Sequence, residues 1–411
     1  MKRFMILVFL IIPLSLVGCR NVVTYGDNKQ LFKADIPTVE KLTSVKFNKE
    51  TTNLIQDFSF NSASLLLKEE NEMYSPISLF MALSMLSEGA SKETKAELLN
   101  ALKFDDLETL RIVNKTMFNN LFLNKEKSKL LLANSFWLNK NKLDTYNNDT
   151  LTILKDYYKA SSFAVDFPSE DTSRMVSDWV SENTNGLLGG NPEAFKFSKE
   201  TMLVLINALY FYDTWSTQFD SKNNYLDGFN SETMTTYMKQ TLSKRSVLIN
   251  KDYTSTFINF TNGSKMHFIL PNESKTISDV KNTQTLKEVV NYESTTKYKV
   301  DIRLPKFEFN SKFDLEELAR NLGINKAFED NAEFDKFTSI DILVSKIIQE
   351  SAIKVDEKGV EAAAYTSIEA GITSVEPEVQ TLTFKLNRPF MFIITSSDNI
   401  PLFVGSVNSL S

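Results

Sequence analysis

Apolar positions along the chain fall into runs of three kinds, and each predicts a different element. The first run, Phe4–Gly18, is almost wholly apolar and follows Lys2 and Arg3. The second kind repeats with helical spacing. Residues 50–68 read as a helix. Ser75 with Pro76 reads as an N-cap followed by proline at the first helical position, and Ile77, Leu79, Phe80, Leu83, Met85 and Leu86 then continue a buried helix to Gly89. Ser91 with Glu93 opens another helix, with Leu98, Leu99 and Leu102 on its inner side. The third kind is of strand length. Leu130–Leu138 and Met202–Phe211 are dense enough to be central strands buried on both faces. Val300–Leu304, Phe384–Thr395 and Leu402–Val407 are further strand candidates. Helices cluster early and strands late, so the expected class is α+β. No Gly/Ser-rich linker, low-complexity tract or fixed-period repeat interrupts Phe47 to Ser411, which predicts one large domain over 47–411.

The first run has its own logic. Fifteen residues fall short of the ~20 that a spanning helix needs, and Pro13 and Ser15 weaken it further. A charged start and a short apolar core read as a secretory signal peptide over 1–18. Its end, Leu16-Val17-Gly18-Cys19, resembles the bacterial lipobox, in which the Cys is acylated and becomes the first mature residue. Two or three acyl chains anchor stably where one does not. The expectation is therefore an extracytoplasmic protein held to a bacterial membrane through lipid on Cys19. The alternative is an ordinary signal peptide with a chance Cys. Loss of Lys2 and Arg3 leaves 44 Lys+Arg against 52 Asp+Glu, taking the net charge from -6 to -8. Residues 20 to 46 are polar and without sustained period, and read as a tether, with room for one short strand.

Composition removes several function classes. An acidic balance lacks the basic footprint of nucleic-acid binding. One Cys excludes an internal disulfide framework, and one His leaves no multi-histidine metal site; no metal or cofactor is expected. A Ser-His-Asp enzyme would rest wholly on His267, which sits in the apolar run SKMHFILP and reads as a packed residue.

The segment from Glu357 to Pro377, EKGVEAAAYTSIEAGITSVEP, carries the most information. Gly359 marks a swivel point, and no proline follows until Pro377. One parity (Val360, Ala362, Ala364, Thr366, Ile368, Ala370, Ile372) is small or apolar. The other (Glu361, Ala363, Tyr365, Ser367, Glu369, Gly371, Thr373) takes both charges and the large aromatic. That is the pattern of a strand with one buried face. An Ala-rich surface helix and an ordinary sheet strand are competing readings. A third is a segment that is a strand in one state and a loop in another.

VDEKGVEAAAYT resembles the hinge of the serpins, the serine protease inhibitor superfamily. NEMYSPISLFMALSMLSEGASKETKAEL (71–98), LANSFWL (132–138), VDF (165–167), DWVSENTNG (178–186), LINALYFYDTWSTQFD (205–220), RLPKFEF (303–309), LGI (322–324), FKLNRPFMFII (384–394) and PLFVGSV (401–407) resemble family motifs in the same order. The resemblance implies three β-sheets with eight or nine helices, an exposed reactive loop over about 358–380, and a monomer that uses no cofactor. It is no enzyme: a target protease attacks the loop, forms an acyl-enzyme, and is trapped when the loop inserts into the central sheet. Loop insertion is one of the general examples of strand addition and of stored-strain release. The hinge maps to Glu357, Gly359, Val360, Glu361, Ala362, Ala363, Ala364 and Thr366. The family's count from the hinge Gly puts the reactive bond at Thr373–Ser374, with a slip to Ile372 or Val375 as alternates. Ser75, Ser78 and Asn207 match the polar cluster beneath the sheet opening, Gln349 stands where many relatives have His, and Trp215 matches the Trp under the inserting loop. Val360 replaces a usual Thr, and Tyr365 a usual Ala. No Lys or Arg occurs from Gly359 to Gln380, so a trypsin-like target is disfavoured. Thr, Ile or Val suits an elastase-like or subtilisin-like pocket. A non-inhibitory surface-binding serpin and an inhibitor of papain-like cysteine proteases are the alternatives; the small residues on the inserting parity speak against the first.

Overall fold

The computed structural model describes residues 25–36, 47–230, 233–360 and 380–410. The predicted hinge residues Glu361, Ala362, Ala363, Ala364 and Thr366, the reactive-bond candidates Ile372, Thr373, Ser374 and Val375, and Cys19 lie outside them. Among the described residues the helices are α1 (Lys49–Leu66), α2 (Pro76–Gly89), α3 (Lys92–Leu102), α4 (Leu107–Leu121), α5 (Asn148–Tyr158), α6 (Glu170–Asn183), α7 (Ile277–Val280), α8 (Thr283–Asn291) and α9 (Glu316–Asn321).

Three sheets make an α+β fold. The central sheet runs β1 (Lys29–Phe32), β5 (Ala160–Val165), β4 (Ser128–Asn139), β6 (Leu203–Thr214), β15 (Gly359–Val360), β14 (Lys346–Val355), β13 (Phe307–Asp314), with β3 (Leu123–Lys125) beside β4. The second runs β2 (Glu72–Tyr74), β18 (Pro401–Val407), β17 (Phe390–Thr395), β11 (Lys265–Pro271), β10 (Tyr253–Asn259), β9 (Leu248–Ile249). The third runs β16 (Thr381–Lys385), β12 (Tyr298–Pro305), β8 (Thr233–Arg245), β7 (Tyr225–Phe229).

The two dense apolar runs became the long central strands, and their alternation shows why they are apolar throughout. On β6, Leu203, Leu205, Leu209 and Phe211 enter the main core, whereas Val204 and Ile206 join a second cluster with Trp137, Val176 and Val180 beneath α6. A strand covered on both faces has no polar parity. All fourteen residues of α2 are buried. The helix stops at Gly89, where a Cβ would lie 2.6 Å from the Phe337 ring.

Four expectations change. Residues 25–36, read as part of the tether, are docked on the body: β1 pairs antiparallel with β5, and Asn28 donates to Thr172 Oγ1 on α6 at 3.0 Å. The run Phe384–Thr395 is not one strand. It breaks at Leu386–Pro389 into β16 of the third sheet and β17 of the second, because Pro389 lacks an N–H and the Asn387 carbonyl is taken by the Asn230 amide. Ser91 sits at the N-cap of α3, but its hydroxyl goes to Asp335. The Glu333 carboxylate accepts from the Glu93 and Thr94 amides instead. Finally, the long strands β4, β5 and β6 interleave with helices rather than following them.

Candidate functional site

The site is a split in the central sheet. β6 and β14 run parallel and pair directly only over their lower ends, from Val204 with Lys346 to Asn207 with Gln349. On its far side β14 is paired to β13 along its length from Ile348 to Val355, and β6 to β4 from Leu203 to Asp213. Between Asn207 and Asp213, and between Gln349 and Val355, no β6–β14 pairing is present among the described residues. At the top, Val360 pairs with Val355 on one side, and Gly359 and Val360 pair with Thr214 and Asp213 on the other. A strand seated between two others holds them two strand spacings apart, about 9.5 Å. The sheet is therefore closed below Gln349 and wedged open above by Gly359 and Val360.

The wedge is fixed by the turn that precedes it. Asp356 accepts from the Lys358 amide through Oδ1 at 2.8 Å, and its own amide donates to the Gly359 carbonyl at 3.0 Å. Trp215 holds the turn twice: its amide donates to Lys358 O at 2.8 Å and its indole Nε1 to Asp356 O at 2.9 Å. The indole is 1% exposed and stacks on Phe260 with ring centroids 4.6 Å apart. The Glu357 carboxylate pairs with Lys306 Nζ at 2.6 Å and accepts from Asn224. Burial alone would raise this carboxyl; the Lys306 ammonium and the Asn224 amide hold it below the usual range.

Gly359 is required for a reason other than conformational freedom. It is not among the positive-φ glycines. A Cβ there would lie 2.1 Å from Asp213 O and 2.7 Å from Thr214 Cα, so only glycine lets the hinge meet β6. Val360 is buried and joins the main core beside Leu209, Phe211, Ile353 and Val355.

The polar cluster assembles at the foot of the split. Gln349 clamps the backbone of Ser75: the Ser75 amide donates to Oε1 at 2.7 Å, and Nε2 donates to Ser75 O at 2.8 Å. An amide side chain both gives and accepts there. Ser78 Oγ donates to Ser75 Oγ at 2.9 Å. Asn207, across the ladder from Gln349, donates instead to Asn134 Oδ1 at 2.5 Å, and Asn134 passes the chain on to Tyr158 O. The structure thus unites Ser75, Ser78 and Gln349, and links Asn207 to a second branch.

Asn134 and Tyr158 were missed because their partners are distant in sequence. Asp213 was also missed. It is fully buried and accepts from Thr261 Oγ1 at 2.5 Å, the Thr214 amide at 2.8 Å, Ser128 Oγ at 3.1 Å and the Asn262 amide at 3.2 Å. Burial raises its carboxyl against these four donors. Its one visible signal is an acid closing a run of apolar residues just before Trp215. His267 is buried against Thr395 and desolvation pushes it down to about 3, which fits a packed, neutral imidazole. No group of three or more His, Cys, Asp or Glu able to hold a metal is present among the described residues.

With this geometry in view, comparison with known proteins is decisive. Residues 53–410 match the family model for the serpins, serine protease inhibitors. The chain belongs to the serpin family. Among curated relatives, mouse alpha-1-antitrypsin 1-5 is 28% identical over 393 residues, covering 90% of this chain and 91% of that one. The thermophilic serpin tengpin in its native state superposes with a TM-score of 0.81 at 29% identity, over 93% of this chain and all of that one. Serpin48 of the insect Tenebrio molitor superposes at 0.77 with 26% identity, over 89% and 99%. Members of this family are generally protease inhibitors rather than enzymes, and target proteases are their general partners.

Proposed function

We propose that this serpin is an inhibitor of extracellular serine proteases of the elastase-like or subtilisin-like kind, that it traps them by loop insertion, and that it works from a bacterial membrane surface through lipid on Cys19. The observation that carries the reading is the double pairing of Gly359–Val360 with β6 and β14. Continuing both antiparallel registers brings Ala362 opposite Phe211 and Ile353, Ala364 opposite Leu209 and Ser351, and Thr366 opposite Asn207 and Gln349. The two registers converge on Asn207 and Gln349, the uppermost of the four residue pairs where β6 and β14 meet. Residues directly opposite share a face. The small, uncharged parity thus turns towards the main core, where Phe211, Leu209 and Ile353 already point.

Below Thr366 the lower pairs must part, and the register ends with Ala370 opposite Leu203, the first residue of β6. Thr373–Ser374 then lies three residues past the lower end of the sheet. About ten inserted residues bonding on both sides, each bond contributing roughly 1 kcal/mol net, favour insertion by well over ten kcal/mol before packing. Insertion competes with hydrolysis of the acyl-enzyme, and the protease is held where insertion is faster.

The test is incubation with pancreatic elastase and with subtilisin. A complex that survives boiling in detergent, with release of the peptide Ser374–Ser411, is expected. Clean cleavage with no complex, and a nicked chain that melts where the intact one does, would overturn the reading in favour of a non-inhibitory surface-binding role.

A further inference from the structure

The registers of the central sheet place two features at one end. Across the sheet, Lys29 of β1 lies opposite Ala164 of β5, Ala164 opposite Leu138 of β4, and Leu138 opposite Leu203 of β6. This row is the lower end of the sheet, eleven residues along β6 from Thr214, where the hinge sits. That separation is about 36 Å. The chain enters the body just before this row. Tyr25 OH donates to Asp178 on α6, and the Asp166 amide at the foot of β5 donates to Asn28 Oδ1. The same row is where the continued register delivers Ala370, four strand spacings or about 19 Å from β1.

We propose that the lipid-bearing end and the protease-delivering end are the same pole of the molecule, so that attachment to a bilayer opposes completion of trapping. This rests on the inhibitory, lipidated reading above. Five residues lie between Cys19 and Tyr25, so six chain steps give a reach of at most about 22 Å. A protease of elastase or subtilisin size is on the order of 40 Å across. With the reactive loop uncut, the docking pole faces away from the bilayer and a protease reaches it freely. Full insertion then carries the acylated protease towards the lipid surface, into a space shallower than the protease itself. The body must tilt to admit it, and each delay lengthens the time open to deacylation. The tether length therefore sets how an anchored inhibitor divides between trapping and being consumed.

The experiment compares the acylated chain on neutral phosphatidylcholine vesicles with the mature chain from Arg20 onward in solution, which keeps every described residue. Elastase is titrated and the number of inhibitor molecules consumed per protease trapped is read on denaturing gels. At least a two-fold higher consumption is expected on vesicles, returning to the solution value when fifteen Gly/Ser residues are inserted between Arg20 and Asn21. Equal consumption in both settings, or an excess that the longer tether does not relieve, overturns the inference while leaving inhibition intact. Absence of any complex in solution removes the inhibitory reading itself, and failure of the chain to carry lipid removes the anchor; either takes the inference with it.

A second readout is independent of trapping. Lys222 lies in the exposed turn Ser221–Asn223 between Phe219, whose amide donates to Glu357 O, and Asn224, which donates to the Glu357 carboxylate, so it marks the upper pole. Lys29→Cys and Lys222→Cys then place a fluorophore at the lower and upper poles of a chain whose one native thiol carries the lipid in the reading above. Energy transfer to a headgroup-labelled lipid should be several-fold greater from position 29. Equal transfer, or greater transfer from position 222, overturns the shared pole.

Discussion

Gly359→Ala separates seating of the hinge from every other requirement of folding. The new Cβ would lie 2.1 Å from a backbone oxygen of β6, where a relaxed contact needs more than 3 Å. The neighbouring backbone must retreat by roughly an ångström, enough to carry a 2.9 Å hydrogen bond out of range. Two rows are at stake, Gly359 with Thr214 and Val360 with Asp213. At roughly 1 kcal/mol net per row, their loss is about 2 kcal/mol, or near thirty-fold in the equilibrium between seated and unseated hinge. If seating is the first step of insertion, the ratio of cleaved to trapped inhibitor should rise by up to about that factor. Acylation should be unchanged, because the proposed reactive bond at Thr373–Ser374 is fourteen residues away. The assay titrates elastase or subtilisin with wild type and variant and resolves complex from cleaved chain on denaturing gels. Intact variant should melt within a few degrees of wild type, since the bonds of Trp215 to the preceding turn remain. A Gly359→Ala chain that folds normally and partitions like wild type would refute the assignment of the split as the place of insertion.

Other substitutions probe neighbouring steps. Val360→Arg places a charge in the main core and Ala362→Pro removes a ladder donor; each should convert inhibition to plain cleavage, read as loss of the detergent-stable band. Lys312 donates to Ala194 O at 2.7 Å, lies 4.6 Å from the centre of the Phe195 ring and pairs with Glu350 at 2.8 Å, so it latches the α6–β6 connection onto β13 and β14. Lys312→Met should lower stability by about 1 kcal/mol, since the pair is partly exposed, and should reduce the cleaved fraction by freeing the sheet to open. His267 is held neutral by burial, so its contribution to stability is present above about pH 6.5 and is lost as pH falls towards 3. Between pH 7.5 and 4.5 wild type should lose on the order of 2–3 kcal/mol that His267→Gln does not, measured by denaturant titration at each pH; parallel curves would show that the imidazole charges freely in the folded chain.

What the chain announced and what it concealed divide by the range of the interaction. Val360 read as an inward residue and is one, because a period of two is a local property. Ser75 read as an N-cap from its neighbour Pro76, and it accepts from the Ser78 amide at the start of α2. Its meeting with Gln349, 274 positions away, came only from likeness to a family. The split itself is invisible in composition, since β6 and β14 carry the same side chains whether paired or parted. Asp213 was passed over because a lone acid after an apolar run normally marks a strand end in water, whereas here four donors from three separate segments surround it. The strand β1, for which the 20–46 segment only left room, has two exposed and two half-buried residues, too few for a hydrophobic signature that would place it.

Tyr365 joins these observations. In the proposed inserted state the continued registers would bring it opposite Ala208 on β6 and Glu350 on β14, on the face turned towards α6 rather than the main core. Glu350 is the residue Lys312 pairs with. If the segment inserts as proposed, its bulkiest side chain would have to pass beneath the connection that Lys312 latches to β13. A ring there is harmless once the ladder has closed, since that face is only partly covered, but it obstructs while the connection is down. Tyr365→Ala should therefore speed insertion and lower the cleaved fraction. It should do so less in a chain already carrying Lys312→Met, because the obstacle is then already loosened. Residues acting through one shared contact show coupling of about 1 kcal/mol, near five-fold in the partition ratio. Rapid-quench measurement of trapping by all four chains gives the cycle. Strictly multiplicative effects of the two substitutions would mean that the ring and the latch never meet, and that the inserting ribbon passes the α6–β6 connection by another route.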